Sequence, residues 1–256
     1  MARNLSSCEL IRYYSPIDNF RTLFNDTRFL QSVVTTLIFT VLSVALPIVV
    51  GTAAALVFHE RFPLRGLLRG IFILPMMATP VAIALVWTMM FHPQLGVLNY
   101  LLTSVGLPPS QWVYATSTVI PTLVMVEVWH WTPLVMLIVL GGLAQLPREP
   151  YEAALIDGAG YWQQFWYITV PLILPFIMIA LIIRTIDALK TFDTIFVITG
   201  GGPGTASETI NIFLYQQAFA FIKLGYASTV ALIFFVLIIA LSLALLHIRQ
   251  RTKWNA

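Results

Sequence analysis

The chain has 256 residues, of which 59% are hydrophobic and only 10% charged, with a net charge of +3. Soluble domains carry about 25% charged residues, so this composition excludes an ordinary soluble globule and points to a membrane protein. The small net charge and the lack of a Lys/Arg-rich run argue against a nucleic-acid surface. The single cysteine, Cys8, excludes an internal disulfide and reads as an incidental thiol.

Residues 1–31 contain Arg3, Arg12, Arg21 and Arg28 but no apolar run of the signal-peptide kind. Within them Phe20, Leu23, Phe24 and Thr27 fall on one helical face, with Asp18, Arg21, Asn25 and Arg28 off it. That pattern predicts a short helix lying in the membrane interface. The rest of the chain, 32–256, forms one transmembrane domain. A spanning helix needs about 20 largely apolar residues, and five windows qualify: 32–58, 67–91, 118–140, 165–183 running on past Arg184, and 226–247. Pro47, Pro75, Pro80, Pro121, Pro133, Pro171 and Pro175 lie in or near them. Such breaks are tolerated where neighbouring helices or water satisfy the freed carbonyls, which suits a bundle lining a path. After the fourth window, "TASE" (205–208) has capping-box spacing and opens an amphipathic stretch with Ile210, Leu214, Gln217 and Phe221 near one face.

Five spans put the loops 59–69 and 142–164 and the C-terminal tail on one side. The Lys/Arg totals of the two sides tie at seven each. Short loops weigh most in orientation, and 59–69 holds Arg61, Arg65 and Arg69 whereas 92–117 holds no Lys or Arg. The 142–164 loop is therefore expected in the cytoplasm.

That loop carries "EPYEAALIDGAGYWQQFWYITVPLILP" from Glu149 to Pro175. Pro150 suits a helix first turn, Glu152 sits near the positive end of the helix dipole, and Ala153, Ala154, Leu155 and Ile156 favour helix. Gly158 and Gly160 end it or let a partner approach closely. By spacing alone, a plain connecting turn and a short exposed docking helix both stay open.

The residues resemble the signature loop of the transmembrane subunits of binding-protein-dependent ABC importers. The matching positions are Glu152, Ala153, Ala154, Gly158, Ile168 and Pro171, with Val170 where the pattern has Leu. Asp157, Ala159 and Phe165 look like the carbohydrate-uptake branch, the maltose-type permeases, as does "FDTIFVITGGGPGTASET" (192–209). "DNFRTLFNDTRFLQSVVTTLIFT" is similar to the start of the family's second spanning helix, so the resemblance runs from about Ile17 onward. It implies an all-α polytopic bundle of the type I importer kind in a bacterial inner membrane. Five spans are expected here, because the family's usual first helix would precede the interfacial helix. It implies a coupling helix at about 148–164, seated in a cytoplasmic ATPase, with Glu152, Ala153, Ala154, Asp157, Gly158, Ala159, Ile168 and Pro171 as the coupling residues. The implied partners are a second permease in a heterodimer, two ABC ATPase subunits holding ATP and Mg, an extracytoplasmic solute-binding protein, and lipid.

The chain has no Gly-x4-Gly-Lys-Ser/Thr loop; "TGGGPGTASE" (199–208) lacks the lysine and reads as a turn. "HERF" at His59 lacks the second histidine of a metalloprotease, and the four histidines are scattered. The chain is thus read as a non-enzyme with no metal and no cofactor of its own. Ionisable groups inside a span are expensive and mark paths or partners. Glu127 lies about halfway through the third window, with His130, Trp131 and Leu134 following on one face. The carboxylate and indole could serve a sugar or polyol, or Glu127 and His130 could form a buried structural pair. A second cluster is Arg184, Asp187, Ala188 and Thr191 on one face of the fourth window; it reads as path lining or as an outer-interface ion pair reaching water. The reading favoured is a sugar, oligosaccharide or polyol importer permease. The alternatives are a permease for glycerol phosphate or a polyamine, or an ion-driven secondary transporter, which would call for inverted repeats that the sequence does not display.

Overall fold

The computed structural model describes residues 16–60 and 62–251, and every regular element among them is helical. Cys8, Arg3, Arg12, Arg61 and Lys253, all weighed above, lie outside the described residues.

The helix expected ahead of the first span forms as α1, Pro16–Phe24, opening on a proline whose missing N–H costs nothing in a first turn. Asp26 then caps the next helix, its Oδ1 accepting from the backbone N–H of Arg28 at 2.9 Å and of Phe29 at 3.3 Å. That helix, α2, runs from Thr27 to His59. Its 33 residues span about 50 Å, more than a hydrocarbon core of about 30 Å.

The window 67–91 is not one helix, as expected, but two: α3, Arg65–Met77, and α4, Pro80–Met90. Pro80 has no N–H to continue the ladder, and a residue before proline is pushed out of the helical region. Thr79, the residue before Pro80, falls outside both helices, and Ala78 ahead of it is already extended (φ −83°, ψ 149°), its N–H turning back to the Pro75 carbonyl. The described residues therefore hold four helices long and apolar enough to cross a membrane, or five if this bent pair counts as one.

A short α5 (Val97–Ser104) precedes α6, Val119–Leu143. Of the apolar stretch of α6, 61% is buried within the chain, against 17% for the crossings 161–190 and 224–247. The latter two turn most of their apolar surface outward, as lipid or a partner subunit allows. The loop helix α7 is Glu149–Ile156. The crossing after it begins as α8 (Tyr161–Gln164), widens through a π turn over Phe165–Thr169, and continues as α9, Val170–Lys190. Tyr161, Trp162, Trp166 and Tyr167 are exposed around this start, the composition of an interfacial aromatic belt. Next come α10 (Asp193–Thr199), α11 (Ile210–Tyr215) running into a second π turn at Gln216–Ala220, and α12 (Leu224–Arg251).

"TASE" does not open a helix. α11 starts at Ile210, and its first N–H is capped from α2, by Thr36 Oγ1 at 2.9 Å. Glu208 is drawn off elsewhere: its carboxylate takes Arg28 Nε and Nη2, each at 2.8 Å, while only 2% exposed. A bidentate charge-assisted pair outcompetes a neutral cap. The amphipathic stretch stops at Phe221, because Ile222 takes a left-handed φ of 56°.

Two compact units assemble from interleaved segments. The first comprises residues up to 41, 80–124 and 188–241; Leu23, Phe29, Leu189, Ile210, Phe213 and Val230 pack at its centre. The second comprises 42–79, 125–187 and 242 onward, with a core of Ala55, Val135, Met136, Val139, Leu140 and Ile173. In the second unit α2 and α6 approach so closely at Gly51 that a Cβ there would lie 2.7 Å from Val135 Cβ. Small residues permit such backbone contact inside membranes.

Candidate functional site

Two constellations stand out, both inside the second unit. The first is the loop helix. α7 holds Pro150 in its first turn, with Glu149 and Glu152 there as well. It stops where the chain needs a positive φ: Gly158 sits at +77°. Asp157 is the C-cap, its N–H donating to the Ala153 carbonyl at 3.0 Å, and the Gly158 N–H donates to the Leu155 carbonyl at 3.1 Å. Glu152, Ala153, Asp157 and Gly158 are exposed, and Ala154, Ala159 and Ile168 half-buried; Pro171 is exposed. Leu155 and Ile156 are exposed as well, at 65% and 87%. Two large aliphatic side chains standing free beside carboxylates on a short helix form a surface that a partner would cover. The spacing had marked the small residues and acids; the two aliphatic knobs were read only as helix formers.

The helix is also tied inward. The Tyr151 hydroxyl lies 3.0 Å from Thr169 Oγ1, at the end of the π turn. Gly160 N–H donates to Gln163 Oε1 at 2.8 Å, and Gln164 Nε2 to the Ala159 carbonyl at 2.9 Å, fixing the step from loop to crossing. Neither Tyr151 nor Thr169 was marked by the sequence, since nothing in the spacing announces a contact across 18 residues.

The second constellation is a buried ion pair. Glu127 and Arg184 belong to separate clusters along the chain; the fold joins them. Arg184 Nη2 lies 3.3 Å from Glu127 Oε2, with the two side chains 0% and 1% exposed. The same nitrogen reaches the Ser43 carbonyl at 3.2 Å, and the guanidinium stands over the Trp131 ring, 4.8 Å from its centroid. His130 packs against Trp131 with centroids 4.6 Å apart and the rings tilted by 37°, and bonds the main chain of Ala78. Arg184 does not reach water at an interface, since none of it is exposed. Leu134, Asp187 and Thr191 are half-buried, and Ala188 is 2% exposed in the first unit.

The pair is under-satisfied. Arg184 Nε and Nη1 have no hydrogen-bond partner among the described residues, and neither has Ser43 Oγ. A buried charge recovers its desolvation cost only when its remaining protons are also bonded. No group of three His, Cys, Asp or Glu that could hold a metal occurs among the described residues.

Known proteins fit this architecture. Residues 47–254 match the family described as binding-protein-dependent transport system inner membrane component. The trehalose/maltose transport system permease protein MalF of Thermococcus litoralis is 36% identical over 230 residues, covering 90% of this chain and 78% of that protein. The sulfoquinovosyl glycerol transport system permease protein SmoG of Agrobacterium fabrum is 34% identical, covering 92% and 76%. Among solved structures, a chain of a bacterial alginate ABC transporter, in complex with its alginate pentasaccharide-bound periplasmic protein, superposes with a TM-score of 0.84 at 23% identity. That overlay covers 99% of this chain and 91% of the other, and the shared fold is the ABC importer permease bundle. The chain is a multi-pass inner-membrane protein and belongs to the binding-protein-dependent transport system inner membrane component family.

Proposed function

We propose that the chain is one permease subunit of an ATP-driven importer for a sugar or oligosaccharide, working with a second permease, two cytoplasmic ATPases and an extracytoplasmic binding protein. Relatives whose names give trehalose, maltose and sulfoquinovosyl glycerol as cargo support the solute class. The observation that carries the mechanical part is α7, an exposed helix bearing Glu152, Leu155 and Ile156 on a loop expected in the cytoplasm.

ATP supplies the work on the partner subunits; this chain converts their closure into motion. The ATPase grips α7, with Glu152 as the charged contact, Ala153 and Ala154 as the close-packing surface, and Gly158 as the turn that seats the helix. Movement of α7 rocks the bundle between inward-facing and outward-facing arrangements. Glu127, Trp131 and Arg184 lie on the solute path. With α6 and α9 packed as they are, Arg184 Nη2 is spent on Glu127 and the Ser43 carbonyl. Parting α6 from α9 would hydrate Arg184 and Glu127 and present donors and an acceptor to sugar hydroxyls. The unsatisfied Arg184 nitrogens favour that opening, because water or a hydroxyl would complete their bonding.

The test is uptake of labelled trehalose and maltose by cells carrying the whole transport system, together with co-purification of the chain. The expected result is saturable, ATP-dependent uptake and an ATPase recovered with the permease. A chain that purifies without any nucleotide-hydrolysing partner, or uptake that survives ATP depletion, would overturn the reading.

A further inference from the structure

α7 is short and stands largely in the open, so a partner pulling on it moves the bundle only if something ties the helix to a crossing. On its C-terminal side the bonds at Ala159 and Gly160 hold the step into α8, but the backbone beyond α7 has places to give. It passes through Gly158 and Gly160, and then through the π turn at Phe165–Thr169, where Val170 N–H bonds back five residues to Phe165. Glycines and π turns are places where a helix can adjust. Among the described residues, the side-chain hydrogen bond that leaves α7 is Tyr151 to Thr169, at 3.0 Å. It jumps over both glycines and most of the π turn to land on Thr169, the turn's last residue, directly before α9. Tyr151 lies along a cavity of about 480 Å³ together with Leu56 of α2, Leu143 of α6 and Phe165. The ring therefore stands beside space into which α7 could yield if the bond were absent. From Thr169, α9 runs 15 residues to Arg184, about 22 Å along the axis. There Arg184 meets Glu127 and Trp131 of α6.

We propose that Tyr151 and Thr169 are positioning residues of the importer: their hydroxyl-to-hydroxyl bond braces α7 against α9, so that displacement of the loop helix reaches the buried pair instead of dissipating in the π turn. The inference rests on the coupling reading of α7. It assigns these residues no contact with solute or nucleotide.

The experiment uses the complete importer in proteoliposomes, with Tyr151→Phe, Thr169→Val and the double variant. The readout is solute molecules moved per ATP hydrolysed, beside recovery of the ATPase on purification. Losing one neutral hydrogen bond should lower the transport-to-hydrolysis ratio about 2- to 10-fold. Recovery of the ATPase should not change. The double variant should be no worse than Thr169→Val, which removes the brace together with the longer 3.4 Å bond from Thr169 Oγ1 to the Gln164 carbonyl. Thr169→Ser, which keeps the hydroxyl, should restore the ratio. An unchanged ratio in Tyr151→Phe, fully additive single effects, or loss of the ATPase in place of loss of coupling would each overturn the brace. If the unaltered chain recovers no ATPase at all, the coupling reading itself falls, which is a different result.

Discussion

The buried Arg184–Glu127 pair allows stability and transport to be separated. At 3.3 Å and an effective dielectric of about 20, the attraction is about 5 kcal/mol. Desolvation of two fully buried charges consumes most of that, so the intact pair is worth little net, whereas a lone survivor is costly by about 3–5 kcal/mol. Glu127→Leu strands Arg184 at 0% exposure, left with the Ser43 carbonyl, the Trp131 ring and the charge of Asp187 one turn on. The melting temperature of the detergent-purified protein should fall by about 6–20 °C, taking about 2–4 °C per kcal/mol. Glu127→Leu combined with Arg184→Met removes both charges and keeps the volume, and should recover most of that loss. The double variant should still lose uptake if the pair lies on the solute path. Fluorescence-detected size-exclusion after heating measures the first effect, and vesicle uptake the second. A single variant as stable as the unaltered chain, or a double variant as unstable as the single, would refute the energetic argument. A stable double variant with normal uptake would reduce the pair to packing.

Reversing the charge with Glu152→Lys should abolish uptake and leave ATP hydrolysis uncoupled while the chain still inserts; membrane fractionation with parallel uptake and phosphate-release assays checks this. Gly158→Val places a branched side chain at φ +77° in open space, where a Cβ would touch nothing within 4 Å, so the cost is backbone strain of about 1–2 kcal/mol. That variant should fold but recover less ATPase on purification, since α7 ends at a different angle. Arg28→Ala leaves the Glu208 carboxylate 2% exposed and without its bidentate partner; with Arg28 itself partly in solvent, the expected loss is about 1–3 kcal/mol, read as a lower melting temperature. Gly51→Val drives a side chain into Val135 and the Thr132 carbonyl, 2.7 and 3.0 Å from the new Cβ. Overpacking of this kind costs about 1–3 kcal/mol, and thermal unfolding should show it.

What could be read from residues was local. Apolar length announced α2, α6, α9 and α12, and the Pro150, Glu152, Gly158 spacing announced α7 and its end. Pro80 was visible too, but its consequence was underestimated, because membrane prolines often kink a helix without ending it, and the turn at Ala78 depends on where the chain must go next. The pairings were out of reach. Arg28 and Glu208 are 180 residues apart, and Arg184 and Glu127 57 apart. Glu127 and Arg184 stand out as ionisable groups inside apolar windows and Arg28 as a charge off the apolar face of the first helix, yet local spacing offers Glu208 a cap, Glu127 a histidine and Arg184 an aspartate. Tyr151 drew no notice, since a tyrosine at an expected membrane interface needs no special explanation.

Site-directed cross-linking at Ala153 tests the central mechanical claim most directly. In a Cys8→Ser background, Ala153→Cys should react with an impermeant maleimide from the cytoplasmic face only. With a short bifunctional reagent it should form an adduct containing the ATPase, at a yield that changes when ATP is bound. Labelling from the outer face, or an assembled importer in which Ala153→Cys never joins the ATPase, would contradict the claim that α7 is the element the motor grips.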